Sequence, residues 1–317
     1  MLCLCTPTLG QSLLLTNEQQ YGVEDGLPQS FISGITQDED GFIWLATLDG
    51  LCRFDGRKFK TIKFYPNDSG SLAANAISCL GVPVNNILPV FYSVMQADAF
   101  DMRTFKVTRN RQVENNRNLY NARWDWFGRV SPTSDILFTT INDKGVGWIA
   151  NKDGKVVYAS RANSLLQQDT IHAMVQGANG SLYLVGPNGV QVSDSNRKQF
   201  TMYRFDTKVK KRSRWFSQLQ EVDSYCIVLL SRTSLLLLDG NRLIFLDLLN
   251  KSSRIVNIPQ QQNKATVPSE LMYIDGKGRP YFTNTGRIFR LEENGRLKML
   301  WQNTRRPDLR INEMFID

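Results

Sequence analysis

A short pattern that returns every 45 to 50 residues or so constrains this chain more than any other feature of its sequence. The clearest copy runs from Ser30 to Phe64. Ser30-Phe-Ile-Ser-Gly-Ile-Thr-Gln reads as a strand. Asp38-Glu-Asp-Gly41 reads as a turn, because Asp caps its own backbone and Gly accepts a positive φ. Phe42-Ile-Trp-Leu-Ala-Thr47 is a second strand and Leu48-Asp-Gly50 a second turn. Leu51-Cys-Arg-Phe54 is a third strand, and Asp55-Gly56 is a hairpin signal. Lys58-Phe-Lys-Thr-Ile-Lys-Phe64 alternates charged with apolar residues and supplies a fourth strand. Four short antiparallel strands in so few residues form a meander sheet.

The unit recurs with its spacing intact. Gly41, Trp44, Thr47, Gly50 and Asp55 are followed at the same steps by Gly180, Tyr183, Gly186, Gly189 and Asp194. A third copy has Gly278, Tyr281, Asn284 and Gly286, which reads as one residue short in its second turn. Weaker copies occupy 75–107, 121–159 and 219–258. In the last of these Ile227-Val-Leu-Leu and Leu235-Leu-Leu-Leu read as strands, with Asp239-Gly240 as the turn. Self-similarity at this period means a propeller or a solenoid, and four meander strands per repeat favour the propeller. The expected fold is all-β: a β-propeller of four-stranded blades, seven-bladed in type. Its blades fall at about 30–64, 75–108, 120–159, 170–205, 219–258 and 269–301. The residue at the Trp44, Tyr183 and Tyr281 place lies in the second strand, where it can pack against the neighbouring blade. These markers read as scaffold.

Both ends bear on the blade count. Ile311-Asn-Glu-Met-Phe-Ile-Asp317 matches Ile32-Ser-Gly-Ile-Thr-Gln-Asp38, the first strand of a blade. Ser12-Leu-Leu-Leu-Thr16 looks like a lone strand. Six blades and parts of a seventh, from 13–20 and 311–317, are therefore expected. Residues 1–11 are apolar and then small, with no basic start, and read as the remnant of a secretory signal peptide cleaved near Gln11 or Ser12. The propeller domain would span 12–317.

Composition then limits the chemistry. One His (His172) among 317 residues excludes a His-rich zinc site and leaves a Ser-His-Asp triad only through that residue. If Cys3 and Cys5 leave with the leader, Cys52, Cys79 and Cys226 remain, too widely spaced for a metal motif or a disulfide framework. At most one pair of them could bridge. No stretch of roughly 18 apolar residues is present to span a membrane as a helix. A net charge of +8 favours anionic partners, although the charges are scattered as on an ordinary solvated surface.

Glu24-Asp-Gly-Leu-Pro-Gln-Ser-Phe-Ile-Ser, followed by Asp38-Glu-Asp-Gly-Phe-Ile-Trp-Leu-Ala-Thr-Leu-Asp-Gly-Leu-Cys-Arg-Phe-Asp-Gly-Arg-Lys-Phe, resembles the two-component regulator propeller repeats of bacterial, Bacteroidetes-type sensor proteins. Pro66-Asn-Asp-Ser-Gly-Ser-Leu72, followed by Asn75-Ala-Ile, is similar to the link such proteins use into their second blade. The likeness is strong over about 12–80, recognisable at 170–195 and 270–292, and faint elsewhere. Pro89 falls where a blade Trp is expected. The resemblance implies a periplasmic sensor region that binds an oligosaccharide or other small ligand. It also implies a second propeller and a histidine kinase in a longer chain, working as a homodimer. It implies that this segment is not itself an enzyme and binds no nucleic acid.

No catalytic motif is found, and no cofactor or metal is expected. Asp38/Asp40 and Glu292/Glu293 sit on turns and read as solvated. The densest basic stretch holds Lys208, Lys210, Lys211, Arg212 and Arg214 beside Trp215 and Phe216. It could grip an acidic sugar or phosphate, or be a plain inter-blade loop with apolar anchors. Trp124 and Trp126, in Trp124-Asp-Trp-Phe127, could line a sugar site or pack in the core. His172 opens a first strand and so would face the central channel. A non-signalling interaction scaffold or a truncated gene fragment stays open. A propeller lyase or glycosidase would need convergent acids or histidines, and a single His counts against it.

Overall fold

The computed structural model describes residues 19–81, 83, 85–92, 97–109, 122–123, 136–140, 145–149, 156–171, 173–204, 226–239, 242–259, 271–284, 286–303, 311 and 314–315. Among these the chain forms six antiparallel sheets of four strands, each in simple meander order. The first blade holds β1 (Ile32–Gln37), β2 (Ile43–Thr47), β3 (Gly50–Phe54) and β4 (Phe59–Ile62). The second holds β5 (Ile77–Leu80), β6 (Ile87–Tyr92), β7 (Ala97–Asp101) and β8 (Lys106–Arg109). The third is built from β9 (Ala122–Arg123), β10 (Ile136–Thr140), β11 (Val146–Ile149) and β12 (Val156–Ala159). The fourth comprises β13 (Ala173–Gln176), β14 (Leu182–Gly186), β15 (Gly189–Ser193) and β16 (Phe200–Arg204). The fifth has β17 (Cys226–Ser231), β18 (Ser234–Asp239), β19 (Arg242–Asp247) and β20 (Ser252–Asn257). The sixth has β21 (Met272–Ile274), β22 (Pro280–Thr283), β23 (Arg287–Leu291) and β24 (Leu297–Gln302).

First strands of successive blades lie side by side, as β1 with β5, β13 with β17 and β17 with β21. That adjacency makes the repeat a propeller. Gly34 permits the approach of β1 to β5, since a Cβ there would stand 2.9 Å from the Leu80 backbone nitrogen. The Ser33 hydroxyl donates to the Ile77 carbonyl across the same seam, at 2.6 Å.

The core lies between blades rather than inside any one of them. A meander sheet has two faces, and each must be covered by a neighbour. Trp44, Ala46 and Leu51 of the first blade pack with Ile77, Leu88, Val90 and Phe100 of the second. Trp44 is fully buried, with the Phe100 ring edge-on at 5.4 Å. Burying a ring system of this size contributes roughly 4–6 kcal/mol before entropy is counted. Tyr183 of the fourth blade packs in the same way with Ile227, Leu235 and Leu237 of the fifth. The second-strand aromatic thus joins blade to blade, as its place in the repeat predicts.

The third marker copy needs correcting. Asn284 and Arg287 exchange both backbone hydrogen bonds, at 3.0 and 3.2 Å. They stand where Thr47 faces Gly50 and Gly186 faces Gly189. Arg287, not Gly286, therefore occupies the Gly50 place, and the copy is not short. It runs Gly278, Tyr281, Asn284, Arg287 and Glu292, at the steps of the first blade. The sequence reading followed the glycine because glycine marks that place elsewhere.

The leader and the 13–18 part of the lone strand lie outside the described residues. Gln19 and Gln20 are described and are not in a strand. Ile311, Met314 and Phe315 are described and not in a strand either, although the Phe315 ring packs edge-on against Tyr273 of β21 at 5.7 Å. Among the described residues no helix is long and apolar enough to cross a membrane.

Candidate functional site

The residues that sequence reasoning singled out for binding are not among those the structure describes. Lys208, Lys210, Lys211, Arg212, Arg214 and Trp215 belong to the connection from β16 to β17. Trp124 and Trp126 belong to the connection from β9 to β10, and His172 immediately precedes β13. All of them lie outside the described residues.

What is described is a set of polar groups repeated from blade to blade. The first kind sits at the turn between first and second strands. Asp38 accepts the backbone N–H groups of Asp40 and Phe42 on Oδ1, at 3.1 and 2.9 Å. Its Oδ2 accepts the indole N–H of Trp44 at 2.7 Å. Asp275 repeats this in the sixth blade, taking the N–H groups of Lys277 and Arg279 and the Tyr281 hydroxyl. The fourth blade has Gly177 at this place, and its Tyr183 hydroxyl donates instead to the Arg232 carbonyl of the next blade, at 2.9 Å. Asp38 and Glu292 are therefore committed groups, contrary to the expectation of simple solvation. Glu292 accepts two hydrogen bonds from the Arg290 guanidinium, at 3.0 and 2.7 Å.

Asp275 is the most strongly perturbed of these carboxyls. Burial opposes its charge, but the Arg279 N–H and guanidinium, the Lys277 N–H and the Tyr281 hydroxyl outweigh it and hold the group down at about 2. The Arg279 guanidinium lies 2.6 Å away, so the charge is answered inside the blade.

A second kind of group holds the link into the next blade. The Ala73 N–H donates to Asp98 on β7 at 2.8 Å, and the Tyr92 hydroxyl donates to the same oxygen at 2.7 Å. Two blades on, Gln191 on β15 accepts from the Gln167 backbone at 2.5 Å and donates to the Gln168 carbonyl at 3.0 Å. Leu72 and Leu166, each just before the captured N–H, are buried in the adjoining cores. The segment read as the link into the second blade is a link, and an unrecognised copy of it precedes the fourth.

A third cluster lies across the first and second blades. The Arg53 guanidinium stands over the Phe42 ring at 4.3 Å and near the Phe105 ring at 5.2 Å. Lys60 caps Phe105 at 3.8 Å. Phe105 adopts a φ of +58°, a conformation that costs a bulky residue energy. Its ring contacts with Trp44 and Phe100 offset that cost. Cys52 is buried and its thiol is pushed up to about 11, chiefly by burial. Cys52 is a free thiol. Among the described residues no group of three or more His, Cys, Asp or Glu side chains could hold a metal ion.

The aspartate turns, blade-joining aromatics and clamped links define a repeat propeller of meander blades. Residues 26–49 match the two component regulator propeller family, so the chain carries a repeat of that family where the sequence resemblance placed it. A curated relative, a histidine kinase of Formosa agariphila, is 47% identical over 49 residues. That match covers 16% of this chain and 4% of the relative's length.

Among solved structures, the extracellular domain of a hybrid two component system from B. thetaiotaomicron aligns with a TM-score of 0.65 at 16% identity. The alignment covers 94% of this chain and 39% of that one. Virginiamycin B lyase from Staphylococcus aureus aligns with a TM-score of 0.58 at 13% identity, over 85% and 83% of the two chains. At these identities the likeness establishes the propeller fold.

Proposed function

We propose that this chain is the extracytoplasmic, periplasmic ligand-sensing propeller of a two-component signal transduction protein. It binds a glycan fragment or other small ligand and passes the binding event to a histidine kinase module of a longer polypeptide. The observation that carries this reading is the family match at 26–49 within a propeller that aligns over 94% of its length with a two component extracellular domain. The repeat supplies the family and the aligned fold supplies the architecture. In this reading the segment is a binding module and carries out no catalysis of its own. Asp38, Asp275 and Glu292 are spent on turns and ion pairs rather than left facing one another across a cleft, as acid–base catalysis requires.

The ring belongs to the seven-bladed type. Phe315 stands two residues before Asp317, as Tyr273 stands two before Asp275, and the two rings touch at 5.7 Å. That contact and the match of 311–317 in sequence to the first strand of a blade support a seventh blade next to the sixth. Signalling follows from a homodimer whose two packings differ in ligand affinity, since a ligand shifts such an equilibrium only by that difference.

Calorimetric titration with a panel of neutral and acidic oligosaccharides tests the reading. At least one should bind with a micromolar Kd. In the parent protein the same sugar should change kinase autophosphorylation. Binding by none of them would favour an interaction scaffold.

A further inference from the structure

We propose that Arg287 is the receptor for an anionic group of a ligand, a carboxylate or an oxoanion of the sulfate or phosphate type, at the junction of the fifth and sixth blades. The inference does not depend on the sensor reading.

The position is filled by arginine in the fifth and sixth blades, as Arg242 and Arg287, where the first and fourth have glycine. In the first and fourth blades the third strand opens on Gly50 and Gly189, with φ of +116° and +141°. A Cβ on Gly50 would stand 2.6 Å from the Ile62 carbonyl oxygen of the fourth strand, and one on Gly189 would meet the Tyr203 carbonyl in the same way. The sixth blade puts an arginine there. Its third and fourth strands shift register between Ile288 and Phe289, immediately after Arg287. Arg242 stands at the same place in the fifth blade with no such shift beside it, and it is less buried than Arg287.

That side chain is sunk in the molecule. Arg287 is 6% exposed. It lies on the same side of β23 as Phe289, two residues on, whose ring is 5.1 Å from the guanidinium. Phe289 packs with Leu236, Leu238 and Leu243 of the fifth blade, which places Arg287 in that junction at its hairpin end.

The guanidinium donates to the Asn284 carbonyl at 3.3 Å and to Asn284 Oδ1 at 2.6 Å. Both acceptors are neutral and belong to one residue, whereas a guanidinium has five N–H donors. Among the described residues no carboxylate pairs with it. Arg279 and Arg290, in the same blade, are matched to Asp275 and Glu292. A buried charge is costly unless an opposite charge answers it. Burial also pulls the Arg287 proton affinity downward. A planar fork with unused donors is the shape that grips a carboxylate or tetrahedral oxoanion at two points.

The test is calorimetric titration of the protein with D-glucuronate, sulfate and phosphate at constant ionic strength, on the natural chain and on Arg287→Met and Arg287→Lys. The natural chain should bind at least one of the three. Arg287→Met should weaken that binding by roughly tenfold or more, while Arg287→Lys, which keeps the charge without the fork, should fall between. Preference for glucuronate would identify a carboxylate ligand, and preference for sulfate or phosphate an ester of those acids. With no anion present, Arg287→Met should melt no lower than the natural chain, because methionine removes an unanswered charge. Equal binding by all three proteins, binding by none, or a marked loss of stability in Arg287→Met would each overturn the proposal. In the last case Arg287→Lys settles it separately: unchanged affinity there also overturns it.

Discussion

At the scale of single residues, Asp38 shows how a turn and a core are tied together by one carboxylate. It holds two backbone N–H groups of its own turn and the indole N–H of a fully buried tryptophan. Asp38→Ala would leave that indole without its acceptor inside the core. The expected loss is about 2–3 kcal/mol in urea unfolding, and Asp38→Asn should cost less because it retains one acceptor oxygen. Equal costs for the two variants would argue that the charge, not the hydrogen bond, matters. Gly50 makes a second case. Its φ of +116° and the nearby Ile62 carbonyl leave no room for a side chain, so Gly50→Ala should destabilise by about 1–3 kcal/mol. Gly56 also has positive φ, at +90°, but open space where its Cβ would go, so Gly56→Ala should cost roughly 1 kcal/mol. A reversed order in denaturation midpoints would contradict this reading of the third-strand start. At Cys52 the raised thiol predicts very slow alkylation of the folded protein near neutral pH, becoming rapid on unfolding. Mass spectrometry of trapped adducts checks this directly.

At the scale of elements, the hairpins share one chemical device. Asp55, Asp101, Asp194 and Asp247 each close the turn from third to fourth strand by accepting backbone N–H groups of that turn, from Lys58, Thr104, Gln199 and Asn250 among others. Each carboxyl is held below its ordinary value, chiefly by those N–H groups. Asp275 is lowered furthest, from 3.8 to about 2. A carboxyl that binds its proton less tightly in the folded chain stabilises the fold while ionised. That contribution is complete above the ordinary value and disappears as pH falls toward 2. Unfolding midpoints should therefore be steady above about pH 5 and drop steeply between about pH 4 and pH 2. A midpoint unchanged across that range would show that the turn aspartates do not support the hairpins. The sequence made Asp55 and Asp194 legible as repeat markers through their fixed distance from Gly50 and Gly189. It did not reveal Asp101, because the second blade has Pro89 at the aromatic place and no glycine spacing to align on. Nor did it reveal Asp247, whose third strand opens on Arg242.

At the scale of the whole molecule, stability resides in the seams. The four buried clusters each draw residues from adjacent blades, so no blade has a core of its own. Trp44→Ala should therefore unfold more than one sheet, at a cost of about 3–5 kcal/mol, and hydrogen exchange should quicken in β5–β7 as well as β1–β3. Exchange confined to the first blade would contradict a seam-built core. Tyr183→Phe removes one bond between the fourth and fifth blades and should cost about 1 kcal/mol with little change in either sheet.

Sequence alone determined the blade. Strand alternation, glycine at positive φ and Asp-capped turns are local rules, and they placed the β1–β4 meander and the markers of the fourth blade before any contact was known. Only the tertiary structure decided what happens across a seam. Tyr183 and Tyr281 hold the same marker place, yet one hydroxyl reaches the next blade and the other returns to Asp275 in its own turn. Local spacing likewise put Gly286 at the Gly50 place, and strand pairing put Arg287 there. The physical reason is that spacing along a chain sets which residues turn, whereas register and burial are set by the strand or blade that comes to lie against them.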